Sequence, residues 1–111
     1  MNIINEIFGH SINNKDRTAF ISQKGRLSYE ELWRRSDNLA GWIDLQTDDR
    51  KTPVIVYGHK DPMMIVCFLA CVKSGHPYCP VDASVPAERL TSIVDLLGDP
   101  LILVAHHDEI P

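Results

Sequence analysis

The residue types best suited to chemistry crowd into one stretch, CVKSGHPYCPVD from Cys71 to Asp82, with Cys67 one helical turn upstream. Cys67, Cys71, His76 and Cys79 follow the spacing C-x3-C-x4-H-x2-C, near that of a zinc knuckle, in which thiolates and an imidazole converge on a tetrahedral ion. The surroundings assign these side chains a plainer duty. Cys67 and Cys71 stand in a nearly continuous apolar run, where cysteine packs as a small hydrophobe, and His76 and Cys79 fall beyond its end. A helix and a strand would both have to bend to gather the four. The expectation is therefore core packing without a metal, Lys73 being the one nearby charge able to activate a thiol.

Other candidates are sparser. In YGHKDP, Gly58, His59 and Lys60 sit where a strand hands over to a helix, the place where phosphates find free N–H groups, but one glycine falls short of a phosphate-cradling loop. A solvated turn is expected. Asp82 could act as an acid or base; the following ASVP favours an Asx-type turn instead. His106 and His107 are adjacent, so their side chains diverge, as in a surface pair rather than a metal pair. Trp33 and Trp42 suit a partly covered helix face better than an aromatic cage.

The helices and strands around these residues follow from pattern and punctuation. Ile3, Ile4, Ile7 and Phe8 predict a short first helix ending near Gly9, and TAFISQ and RLSY on either side of Lys24-Gly25 predict a small hairpin. Ser28 and Glu31 form a capping box that opens a helix through Gln46, with Leu32, Ser36, Leu39 and Ile43 on its inner stripe. PVIVYG lacks polar alternation and predicts a strand covered on both faces. Asp61, Pro62 and Gly75 supply the cap, first position and left-handed stop of the next helix, and Lys73 complements its negative end. PYCPVD is a second strand, with Pro80 favouring an edge or an irregularity. PAERLTSIVDLLG is a helix with Leu90, Ile93, Val94 and Leu97 inward, and LILVA a third strand.

The class is α/β, a short parallel sheet with flanking helices, divided into N-terminal helices and hairpin to about residue 52 and a βαβαβ unit from about 53 to 111. Three strands leave two open edges. Further strands from sequence beyond Pro111 or from another chain are expected to complete the sheet.

At 111 residues one core is expected. A net charge of -4, from 11 basic against 15 acidic residues, disfavours nucleic acid and anionic lipid as partners. Three cysteines, an odd count, with no leader pattern in MNIINEIFGH, point to the reduced cytoplasm. The longest apolar run, Met63 to Val72, is half of the roughly 20 residues a membrane span requires, so no membrane insertion is expected.

Two patterns together carry a family resemblance. LSYEEL (Leu27 to Leu32) resembles the first core motif of the adenylate-forming superfamily, L-[TS]-Y-x-E-L, and CVKSGHPYCPVD resembles the second, L-K-A-G-x-A-Y-V-P-I-D. Within that superfamily, VYGHKDPMMIVCFLACVKSGHPYCPVD is most similar to the D-alanine:D-alanyl carrier protein ligases, and ELWRRSDNLA fits them too. The similarity spans nearly the whole chain. Ser74, Cys79 and Ala83-Ser84-Val85 depart mildly from the pattern.

The resemblance implies the N-terminal part of the large domain of an enzyme that activates D-alanine with Mg and ATP as the acyl adenylate. The acyl group then passes to the phosphopantetheine thiol of a D-alanyl carrier protein, for lipoteichoic acid D-alanylation. The phosphate loop, adenine-side motif, ribose-binding aspartate and mobile lysine of such enzymes follow the matched segment, so no catalytic, cofactor-binding or metal-binding residue is assigned here. By itself the segment is expected to be inactive and to bind neither ATP nor Mg. The alternatives are an adenylation domain of a peptide synthetase, an acyl-CoA ligase, or a non-catalytic binding or assembly module of the same fold.

Overall fold

The protein is described by a computed structural model over residues 3–23, 25–48, 50–59 and 61–105. Its centre is β3 (Val54–Gly58), every residue of which is buried. β4 (Tyr78–Asp82) and β5 (Leu101–Val104) flank it, both parallel, in the order β4-β3-β5. α3 (Pro62–Ser74) joins β3 to β4, and α4 (Ala87–Leu97) carries the chain back across to β5. The reversal puts the two helices on opposite faces.

Alternation along β3 divides the core accordingly. Val54 and Val56 pack with Ala40, Ile43, Cys67, Ala70, Cys71 and Leu103 on one face. Ile55 and Tyr57 pack with Val81 and Leu90 on the other, where Ile93, Val94 and Leu97 of α4 close over them. A strand so covered has no use for polar alternation; each of its large side chains contributes about 1.5–3 kcal/mol by leaving water. Pro80, which has no N–H for a ladder, lies on an edge strand opposite Val56.

The N-terminal part adds α1 (Ile3–Asn13), the antiparallel pair β1 (Thr18–Ser22) and β2 (Gly25–Ser28), and α2 (Tyr29–Thr47). The pairing of β1 and β2 follows the expected hairpin, of which Lys24 lies outside the described residues. α1 does not stop at Gly9 but runs one turn further. Gly9 alone does not end it, because packing holds the helix on either side: Ile4 and Ile7 rest on the cluster of Leu27, Leu32, Val66 and Leu69, and the Ser11 hydroxyl donates to the Phe8 carbonyl. α2 opens with the capping box in full, the Ser28 Oγ accepting from the Glu31 N–H and the Glu31 carboxylate accepting from the Ser28 N–H. It ends one residue beyond Gln46, with Asp48 left-handed at φ 51°. Its inner stripe is Leu32, Ser36, Ala40, Ile43 and Thr47, with Leu39 half-buried beside it. Among the described residues no helix is long and apolar enough to cross a membrane.

Candidate functional site

The sheet itself separates the cysteines. Cys67 and Cys71 belong to the α3 core on the Val54–Val56 face, whereas Cys79, paired with Ile55, packs on the face of Tyr57 and Leu90. Among the described residues no group of three or more His, Cys, Asp or Glu side chains is placed to hold a metal ion. Burial pushes the Cys67 thiol up to about 12 and the Cys71 thiol up to about 11, so both stay protonated and unreactive at neutral pH.

His76 faces inward, its side chain without exposed surface. Nδ1 lies 2.8 Å from the Thr52 carbonyl oxygen, and since a carbonyl only accepts, that nitrogen carries a hydrogen. Nε2 lies 3.4 Å from the Thr47 hydroxyl and 3.6 Å from Asp44 Oδ1. The ring thereby joins the end of α2, the approach to β3 and the end of α3. Lys51 reinforces the joint, Nζ donating to the Ser74 carbonyl at 2.7 Å and to Asp44 at 3.3 Å.

Lys73 stands in the last turn of α3, yet its ammonium reaches across to α2. It donates to Ser36 Oγ at 2.8 Å and to the Trp33 carbonyl at 3.1 Å, and lies 3.3 Å from the centroid of the Trp33 ring, which also meets the Phe8 ring at 4.9 Å. Burial lowers its pKa, partly opposed by Asp37 at 3.7 Å. Trp33 thus receives one aromatic and one cation, a helix-to-helix clasp rather than an aromatic cage, and Trp42 stays on the exposed side of α2. The stretch from Cys71 to Asp82 is a joint between the buried end of α3 and the edge strand β4, of which Val81 alone is fully buried.

Polar side chains from separate elements also meet at the carboxyl ends of β3 and β4, the end at which α/β sheets seat ligands. The ladder sets Gly58 beside Asp82, which brings His59 Nδ1 to 2.9 Å from Asp82 Oδ2. Asp82 Oδ1 accepts from the Ser84 N–H at 2.9 Å, the Asx-type turn expected from the sequence. That N–H foremost, then His59, holds the Asp82 carboxyl far below the usual carboxylate range. It is a carboxylate at neutral pH and a weak base, so it anchors better than it moves protons. The Tyr57 hydroxyl donates to the Ala83 carbonyl at 3.4 Å, and Asp61 Oδ1 accepts from the Met63 N–H at 2.8 Å to start α3. Lys60, His106 and His107 lie outside the described residues.

Two clefts among the described residues lie elsewhere. One of about 380 Å³, lined by Thr47, Arg50, Thr52 and Asp99, opens at the amino ends of β3 and β5, opposite to the ligand-seating edge. Another of about 340 Å³ is an apolar recess among Ile7, Phe20, Leu32 and Ile65. Stabilising charge at phosphorus requires several donors aimed at one centre. The His59–Asp82 pair contributes one imidazole, beside a carboxylate that repels phosphate.

The three-layer architecture with a capped α2 and a buried joint has counterparts among known proteins. Residues 10–111 match the family described as AMP-binding enzyme, and the chain belongs to that family. The D-alanine--D-alanyl carrier protein ligase of Bacillus anthracis (strain CDC 684 / NRRL 3495) is 42% identical over 105 residues, 95% of this chain and 21% of the relative. The ligase of the same name from Bacillus cereus (strain AH820) matches to the same extent. This chain thus spans about a fifth of the length of these relatives. Of solved structures, PA1221, "an NRPS protein containing adenylation and PCP domains", superposes with a TM-score of 0.80 over 98% of this chain and 22% of that one, a likeness of fold at 22% identity. IdnL1 superposes with a TM-score of 0.76 at 25% identity, over 93% of this chain and 21% of that one.

Proposed function

We propose that this chain is the N-terminal part of an ATP-dependent, AMP-forming ligase that activates D-alanine as the acyl adenylate. The ligase transfers it to the phosphopantetheine thiol of a D-alanyl carrier protein, in the cytoplasm, for D-alanylation of lipoteichoic acid. The observation that carries this reading is the 42% identity, over 95% of the chain, to proteins named D-alanine--D-alanyl carrier protein ligase, within a family match from residue 10 to 111. Residues 1–111 form one segment of the large adenylation domain, the helices and hairpin preceding the βαβαβ unit.

Its role in that enzyme is scaffold. Mg bound with ATP needs oxygen ligands beside phosphate donors, and the residues described here do not fit that demand. Asp82 already accepts from the Ser84 N–H and His59, and no cluster of three ligating side chains stands near it among the described residues. No residue of the segment is assigned to catalysis, to the cofactor or to a metal.

The test is amino-acid-dependent exchange of pyrophosphate into ATP by the protein as its gene encodes it, followed by loading of a carrier protein. D-Alanine should be the preferred substrate. Preference for another amino acid moves the protein to the peptide-synthetase adenylation domains, whose fold it shares, and preference for a fatty acid moves it to the acyl-CoA ligases. A gene that stops at Pro111, with no exchange activity, leaves a non-catalytic module.

A further inference from the structure

The chain leaves β3 and β4 in opposite directions. After β3 it turns through His59 and Asp61 into α3, over the face of Val54 and Val56; after β4 it turns through Ala83 and Ser84 toward α4, over the face of Ile55 and Tyr57. The two connections therefore start side by side at the carboxyl end of the sheet and part to opposite faces.

A side-chain bridge joins the two connections. Asp82 is prepared for it twice, by the ladder register that places it beside Gly58 and by the Ser84 N–H, which occupies Oδ1 and leaves Oδ2 toward His59. His59 Nδ1 donates to Oδ2 at 2.9 Å. The two side chains are 45% and 47% exposed, so water competes for both partners and the bridge can open and re-form.

We propose that the His59–Asp82 bridge is a latch, which when closed makes the connection after β3 and the connection after β4 move as one unit at the carboxyl end of the sheet. Because the donor is a single N–H at the Nδ1 position, an asparagine at 59 can replace it through Nδ2, whereas alanine cannot.

The experiment is amide hydrogen exchange of the gene-encoded protein, read separately over the two connections. His59→Ala and Asp82→Ala should each accelerate exchange in both connections by about three- to fivefold, the scale of an exposed charged pair, and the double variant should add little beyond Asp82→Ala, which also frees the Ser84 N–H. His59→Asn should restore exchange close to the unaltered rate. Ser84→Ala, which keeps the backbone N–H, should change neither connection. The latch is overturned if each variant alters only the connection that carries it, if the double variant is additive, or if His59→Asn behaves as His59→Ala.

Discussion

At His76 a polar ring has no exposed surface, and its stability rests on keeping its partners. His76→Leu fills much of the space but leaves the Thr52 carbonyl without its donor, and should lower the unfolding free energy by about 1–3 kcal/mol, measured by urea denaturation. The cysteines make a second prediction. With their thiols near 12 and 11, Cys67 and Cys71 should resist iodoacetamide in the folded protein at pH 8, react once unfolded, and show no zinc-dependent rise in melting temperature. Asp82 tests the sheet edge. Its depressed folded pKa adds stability that is present above the ordinary carboxylate range and is lost as pH falls through the folded value. His59→Ala should raise the Asp82 titration midpoint, read by carbon NMR, yet leave it below the ordinary range, because the Ser84 N–H, the largest cause, remains. A midpoint that returns fully to the ordinary range contradicts that ranking.

At the scale of elements, punctuation decides where helices begin and end. Ser28→Ala removes the acceptor for the Glu31 N–H and should cost about 1 kcal/mol. The Glu31 pKa is lowered, first by the Ser28 backbone N–H, so the cap's contribution holds above the ordinary glutamate range and fades as pH falls below it; Glu31→Gln should flatten that acid limb. Gly75 ends α3 at φ 76°, and a Cβ there would meet Lys51 only at ordinary contact distance. Its replacement by alanine should therefore cost about 1–2 kcal/mol through backbone strain alone. The capping box of α2, Pro62 at the first position of α3 and Gly75 just past its end were legible in the sequence because each works within one or two helical turns. The extension of α1 through Gly9 was not, because Leu27, Leu32 and the Trp33 ring that hold it come from other elements.

Across the whole molecule, the covered centre contrasts with open flanks. Tyr78 and Val72, on the β4 side, are 42% exposed each, and Leu96 of α4 is 84% exposed. Concentrating the isolated 111-residue chain should drive self-association or loosen its edges, seen by sedimentation and calorimetry; a monomer that melts cooperatively at every concentration contradicts this. The α/β class, the order of elements, the interior duty of Cys67 and Cys71 and the resemblance to adenylate-forming ligases could all be read along the chain, since hydrophobic period, caps and motif order are properties of neighbours in sequence. That Lys73 clasps α2, that His76 binds the approach to β3 and that His59 meets Asp82 could not be read that way. Each of those contacts joins residues 23 to 40 positions apart, and such distances close only when strand register and helix packing are set together.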